Sequence, residues 1–428
     1  MALRAAVVGA GIAGSALAIL LAHRGAEVTL FDDGRRPELV VGESLVPAVV
    51  PILRRLGIED VTATFSRVKP GVTFVWSETD RASFTFARFA PGVFPYAYNI
   101  PRPQFDAALL DRAVAAGATQ VMARARLERA SGGGAELALA AETMAAAPSL
   151  GGRQPDLIVD ATGRGRQAAR VLGIGADVGP RRDVAHFAHY EGVRWHDVPG
   201  QVLISRLAAG WAWCIPLMDR LSIGIVLGQD AAAALGRTPE ERLSQAIATD
   251  GWLAGIASEA KRVSAVATYS NYQLVSQRAV GPGWVMVGDA FGFVDPMLSP
   301  GVFLALHSAQ TVADALAPLV AAGTPPSPAA LARALAPYAA GHAAALAAWT
   351  DLVAYLYDGR LLALMRAGRE WMEHGSGPLK HALQDHIERH IALQASGMAT
   401  TSRYSRRLLS FLGHYALRGV DPSSLAIR

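Results

Sequence analysis

The 428-residue chain has a single cysteine, Cys214. One thiol excludes a disulfide framework, iron–sulfur ligation by four thiolates and a structural zinc site of cysteine type. Charge is also scarce, with 18% Asp, Glu, Lys and Arg against 51% hydrophobic residues. So apolar a composition excludes both a disordered chain and a surface-charged helical rod. Neither sign dominates, because 40 Lys and Arg face 36 Asp and Glu for a formal +4. Spread over this length, such an excess is no footprint for nucleic acid. Long unbroken apolar runs are missing too. The alanine-rich stretch 334–348 falls short of the roughly 18 residues that a span needs. The apolar run after Arg4 is interrupted by Gly9, Gly11 and Gly14, and then by His23-Arg24-Gly25, so it reads as neither a signal peptide nor an anchor. A cytoplasmic protein with no membrane or nucleic-acid partner is expected, as one large domain or two intimate ones. No His-Glu-x-x-His occurs. The tail histidines His374, His381, His386 and His390 lack a third, carboxylate ligand, so no metal site is expected and they read as solvated.

The first fifty residues carry a pattern with a separable role for each part. Leu3 to Val8 reads as a buried strand, Gly9-Ala10-Gly11-Ile12-Ala13-Gly14 as a turn and Ser15 to His23 as a helix. Glu27 to Phe31 is a second strand, ending at Asp32. Gly9 permits the tight turn, Gly11 lets the backbone approach a pyrophosphate, and Gly14 lets helix and strand pack closely. The unpaired N–H groups of the helix start, including Ala13, face the phosphates. Asp32 stands where a carboxylate accepts from a ribose hydroxyl. The pattern predicts dinucleotide binding.

Two later strands end in similar turns. One is Asp156 to Asp160, running into Ala161-Thr162-Gly163-Arg164. The other is Gly283 to Val287, running into Gly288-Asp289-Ala290, with a helix from about Gly301 to Leu316. The three motifs together resemble the flavoprotein monooxygenases of the para-hydroxybenzoate hydroxylase superfamily. That resemblance implies FAD as the cofactor, with Asp160, Gly163 and Asp289 near it. Further segments resemble one branch, the flavin-dependent halogenases: Gly42-Glu43-Ser44-Leu45-Val46-Pro47, Lys69-Pro70-Gly71-Val72-Thr73-Phe74-Val75-Trp76, Tyr98-Asn99-Ile100-Pro101-Arg102, Trp211-Ala212-Trp213-Cys214-Ile215-Pro216, and Asp295 to Val302. The match is closer to the branch acting on carrier-tethered or phenolic substrates than to the tryptophan enzymes, because Leu298-Ser299-Pro300 has no acidic residue.

The resemblance implies roles. Lys69 is the catalytic residue that holds hypohalous acid, by a hydrogen bond or as a haloamine. Glu43, Ser44, Arg102, Pro296, Gly301 and Val302 lie beside the flavin. Trp211, Trp213, Ile215 and Pro216 partition flavin from substrate. Ser299, Gly301 and Val302 bind chloride or bromide through backbone N–H groups. A separate flavin reductase supplies FADH2 by diffusion, and the protein is a monomer or homodimer. One departure stands out. Pro300 lacks the N–H that serine or threonine would offer there. It leaves open a direct oxygenase acting through a flavin C4a-hydroperoxide.

The expected fold class is α/β, with a Rossmann-like FAD-binding domain formed by residues 1–70, 101–180 and 276–326. A mainly antiparallel substrate sheet is inserted as residues 71–100 and 181–275. Strand-like alternation runs from Val72 to Phe89 and from Val184 to Val226. Thr238-Pro239 marks a capped helix start. Residues 327–428 read as helices: Pro328 to Ala340, Gly341 to Tyr357, Leu361 to Glu373, Leu379 to Ala395 and Ser402 to Leu412. Pro337 leaves the end of the first of them open. Trp349, Tyr355, Tyr357 and Trp371 either pack helix faces or line a cavity.

Overall fold

The computed structural model describes residues 2–428 except 78, 79, 133, 196, 271, 272, 374–376 and 419. His374 therefore lies outside the described residues. Two sheets organise the chain. The first has six strands in the order Val280–Gly281, Trp284–Met286, Leu157–Asp160, Arg4–Val8, Glu27–Asp32 and Thr119–Met122. All pairs are parallel except the Val280–Gly281/Trp284–Met286 hairpin. Arg4–Val8 sits at its centre and is buried throughout, which matches its continuous apolar run.

The helix Ile12–Ala22 buries ten of its eleven residues against the Arg102–Ala115 and Pro300–Ala321 helices. It starts three residues before the expected Ser15, because the turn itself is part of it. Gly9 has φ +108°, and a Cβ on Gly14 would lie 1.9 Å from the Gly9 carbonyl oxygen. Only glycine at both positions lets the helix sit on its own turn. Pro300–Ala321 is the one described helix long and apolar enough to cross a membrane by length and composition, and over half of that window is buried inside the protein.

The second sheet has eight strands. The main path runs Lys261–Arg262, Asp183–Glu191, Leu221–Gly228, Trp211–Pro216, Val202–Arg206, Gly71–Val75 and Arg81–Thr85, with Ala267–Ser270 also paired to Asp183–Glu191. Its pairs are antiparallel except Val202–Arg206 with Gly71–Val75. The stretch from Val72 to Phe89 is not one strand. It is a hairpin ending at Thr85, followed by a short turn, Phe86–Phe89, whose start is tied by Phe86 N–H donating to Pro70 O at 2.9 Å. The turn takes Phe86 and Phe89 out of the sheet alternation. Gly224 makes room for the Trp213 indole, since a Cβ there would come within 2.2 Å of it.

The tail is helical, with one correction. Pro328–Tyr357 is a single 30-residue helix that runs through Pro337. An internal proline costs about 3 kcal/mol. The seam Leu331, Leu335, Tyr338, Leu346, Trp349, Leu352 and Leu356 is buried along both halves. At about 1.5–3 kcal/mol for each large apolar side chain, that burial outweighs the break. The Thr238 cap forms as expected, with Glu241 closing a capping box. His386 and His390 are not merely solvated. Their rings bond Tyr404 Oη at 2.7 Å and Ser405 Oγ at 2.9 Å and so tie the last two long helices together.

Candidate functional site

The carboxyl ends of the central parallel strands open into a cavity of about 290 Å³. This is where open α/β sheets bind ligands. Its floor is Gly11, Ile12 and Ala13; one wall is Gly42, Glu43, Ser44 and Arg102; Gly163, Arg164 and Asp289 close another. The loop residues Pro296, Leu298, Ser299, Gly301 and Val302 face Trp211, Trp213 and Ile215 of the large sheet across it.

Most of the residues singled out in the sequence meet here, but not all. Gly9 and Gly14 shape the turn from behind. Asp32 does not reach the cavity. Its carboxylate accepts from Arg36 Nη2 at 2.8 Å, Gln120 Nε2 at 3.1 Å and Gly34 N–H at 3.0 Å. Asp160 is also turned inward, accepting from Thr162 N–H at 3.0 Å, Thr162 Oγ1 at 2.6 Å and Ala168 N–H at 2.7 Å. It braces the turn that presents Gly163. Pro216 contributes its carbonyl to Asn99 Nδ2 at 3.0 Å rather than a wall. Lys69 lines a second cavity.

The first cavity has the groups that a dinucleotide needs. A Cβ on Gly11 would meet nothing within 4 Å, so the backbone lies open to a phosphate. The Asp289 carboxylate lines the cavity with no hydrogen-bond partner among the described residues, and burial raises it to about 6 despite Arg164 and Arg102 nearby. A ligand hydroxyl would satisfy it. The first-turn N–H groups of Gly301 and Val302 lack intrahelical acceptors. Ser299 precedes them at φ 60° and Leu298 at φ 65°, two successive left-handed residues that swing the loop over the cavity.

Glu43 is held by a residue that the sequence does not single out. His189 Nε2 lies 2.7 Å from Glu43 Oε1, with both side chains buried. The two are 146 positions apart, and His189 is one alternation position in a strand. Arg102 pairs with both oxygens of Asp106 at 3.0 Å and donates to Val41 O at 2.5 Å, which pins the Gly42–Ser44 segment.

The second cavity is larger, about 690 Å³. Phe74, Phe84, Phe86, Phe89, Leu361, Leu364, Met365, Trp371 and Ile391 give it a mainly apolar lining from sheet and tail, to which Arg81, Arg88, Arg369 and Glu388 add charge. Val202, Ile204, Leu298 and Ser299 line both cavities and form the wall between them. Lys69 stands in the second cavity beside that wall. Its strand, Arg67–Lys69, pairs with Ala97–Asn99, which also bridges to Ser44. This brings Lys69 Nζ to 2.8 Å from Ser44 Oγ and 2.9 Å from Leu45 O. The amine is 3% exposed, and its burial lowers it from 10.5 to about 7. Ser44 lines the first cavity, so one hydrogen bond crosses from one chamber to the other.

A buried network ties the tail to the wall. Trp211 Nε1 donates to Tyr357 Oη at 2.9 Å, and Tyr357 Oη donates to Asp295 at 3.1 Å. Arg181 lies 3.7 Å over the Tyr357 ring and donates to Asp183 at 2.6 Å. Burial raises Asp295 to about 6. Tyr357 and Trp349 are therefore core residues, Trp371 lines the large cavity, and Tyr355 faces a separate cleft. Tyr269 and Arg181 had no periodic or motif signal; Arg164 and Asp295 lie inside segments quoted above, but without a role of their own.

The family model described as tryptophan halogenase matches residues 4–93 and 88–324. Tryptophan 2-halogenase of Chondromyces crocatus is 31% identical over 327 residues, which cover 74% of this chain and 61% of that protein. The chain thus spans about three fifths of the length of the first curated relatives it matches. Two solved structures share the fold. The flavin-dependent brominase Bmp2 has a TM-score of 0.77 at 21% identity, covering 97% of this chain and 99% of its own. A flavoprotein/dehydrogenase from Cytophaga hutchinsonii has 0.80 at 22%, covering 97% and 99%. With its motifs gathered around the two cavities and the family match running through both sheets, the chain belongs to the tryptophan halogenase family of flavin-dependent halogenases.

Proposed function

We propose that this chain is a two-component, FADH2-dependent halogenase, with cofactor in the first cavity and an electron-rich aromatic substrate in the second. The observation that carries it is Lys69, a buried amine at the wall of an apolar chamber, hydrogen-bonded through that wall to Ser44. Gly11, Ala13, Gly163 and Asp289 would hold FAD, and Gly301 and Val302 N–H groups would hold bromide or chloride. FAD, once reduced, supplies the oxidising chemistry that converts oxygen and halide to hypohalous acid.

The chain's own residues then do three things. Trp211, Trp213, Val202 and Ile204 keep a bulky organic substrate out of the first cavity. The thin wall at Leu298 and Ser299 is the route for a small neutral oxidant. Lys69, lowered to about 7, is present as both ammonium and amine near neutral pH. The ammonium donates a hydrogen bond to hypohalous acid; the amine takes the halogen and releases water. Ser44 Oγ accepts from Nζ and keeps it aimed at the passage. The aromatic lining of the second cavity suits a flat, aromatic substrate. Division into a cofactor domain, an inserted substrate sheet and a helical tail follows the same reading, as do a cytoplasmic setting and reduced flavin diffusing from a separate reductase.

The test is turnover with FAD, a flavin reductase, NADH, oxygen and excess bromide on an electron-rich phenol or pyrrole, read by mass spectrometry. A bromine isotope doublet, absent with Lys69→Ala, is expected. A halide-independent product heavier by one oxygen would overturn the halogenase reading.

A further inference from the structure

The Lys69 ammonium has three N–H groups, and two of them are donated through the wall to Ser44 Oγ and Leu45 O, at 2.8 and 2.9 Å. Among the described residues one further group meets Nζ, the ring of Phe86, whose centroid lies 5.7 Å away. That is inside the reach of about 6 Å over which a cation is drawn to a ring face. The ring has a fixed place. Phe86 N–H donates to Pro70 O at 2.9 Å, so the residue after Lys69 holds the backbone that carries the ring. Two positions on, Arg88 pairs with Glu388 at 2.6 Å and with Asp385 at 3.2 Å on the Pro378–Ala395 helix, so the tail also holds this turn.

Among the described residues no carboxylate pairs with Lys69. Glu43, on the adjoining segment, is taken by His189, while Glu388 and Asp385 are taken by Arg88. Arg67, on the same strand as Lys69, donates to the Leu217 and Met218 carbonyls. Arg81 and Arg369 add further positive charge to the chamber. None of these moves the amine, which burial alone lowers. The Phe86 ring, negative on its face, favours the charged form from the chamber side.

We propose that Phe86 is a positioning residue for Lys69: its ring holds the amine against the wall as an ammonium, with one N–H left toward the chamber to donate to the incoming oxidant. This rests on the reading of Lys69 as the residue that meets hypohalous acid. Donation to the oxidant replaces a weak contact with the ring, while the hydrogen bonds to Ser44 and Leu45 stay in place.

The test reads the amine directly. The chain has three lysines, Lys69, Lys261 and Lys380, so carbon NMR of the whole protein with isotope-labelled lysine gives three side-chain signals, and Lys69→Met assigns one of them. Phe86→Leu keeps an apolar side chain and removes the ring. It is expected to move the Lys69 titration midpoint down by roughly half to one and a half pH units, the range of a cation–ring contact. Phe86→Tyr is expected to keep the midpoint, and Lys261 and Lys380 to keep theirs in every variant. Replacing Phe86 by a ring-trifluorinated phenylalanine keeps the packing and weakens the negative face, so a downward shift is expected there too. An unchanged or raised midpoint in the fluorinated protein overturns the proposal, and a shift in Phe86→Leu alone reduces the ring to packing. The pH profile of kcat/KM for bromination of a phenol is expected to move down with the midpoint. Midpoints that shift as expected in a protein that brominates nothing would count against the halogenase reading and leave the Phe86–Lys69 contact standing.

Discussion

Replacing Lys69 by methionine keeps the length of the side chain and removes a buried amine. Burial lowers that amine from 10.5 to about 7. Between those two pH values the unfolded chain binds a proton that the folded chain resists, so folding is penalised as pH falls. The penalty is about 2 kcal/mol at pH 9 and about 5 kcal/mol at pH 6, at 1.36 kcal/mol per unit. Methionine carries no such penalty. Ser44 Oγ and Leu45 O lose their donor in the variant. That loss, about 1–3 kcal/mol for each group left unsatisfied, shifts stability by the same amount at every pH. The signature is therefore the slope. Unfolding entropy near 2.1 cal/mol/K per residue gives roughly 0.9 kcal/mol/K for this chain. The Tm of Lys69→Met minus that of wild type is expected to be about 3 °C larger at pH 6 than at pH 9. Scanning calorimetry across that range measures it, alongside bromination, which is expected to vanish. A Tm difference that stays flat from pH 6 to pH 9 would refute the claim that the amine is held against its charge.

Three further outcomes follow from the geometry. Gly11 has φ −78° and open space where a Cβ would stand, so Gly11→Ala is expected to leave the flavin-free Tm within about 1 °C while weakening FAD at least tenfold by fluorescence titration. Equal FAD affinity would show that the phosphates do not approach this backbone. Tyr357→Phe removes the hydroxyl between Trp211 and Asp295; it is expected to cost about 1–3 kcal/mol and to lower the yield of halogenated product per NADH, read by chromatography. An unchanged yield would make the tyrosine merely structural. Pro300→Ser adds an N–H to the first helical turn beside Gly301 and Val302, and the KM for bromide is expected to fall about tenfold. A KM that does not move would place the halide elsewhere.

Much of the fold was legible because it is written in local constraints. The glycine turn, the buried parallel strands and the Thr238 cap each depend on residues within a few positions of one another. Pro337 was misleading for the same reason. Its local cost is real, but the buried seam from Leu331 to Leu356 decides the helix, and only the packed structure shows that seam. Asp32 and Asp160 lay at the right places along their strands, yet side chains as distant as Gln120, and backbone groups such as Ala168 N–H, claimed their lone pairs.

The amino-acid sequence by itself determined the strand–turn–helix unit, the order of the motifs and the residue types at the site: an open glycine, a carboxylate after a strand, a lysine before a Pro-Gly. These are short-range facts of backbone freedom and chemistry. Tertiary structure alone decided which groups face which chamber. It placed Ser44 between the first cavity and Lys69, set His189 on Glu43 from 146 residues away, and let Tyr357 of the tail hold Trp211 and Asp295. Those pairings arise because two sheets and a helical tail are pressed together by burial of apolar surface. Burial does not record in the sequence which polar groups it will bring face to face.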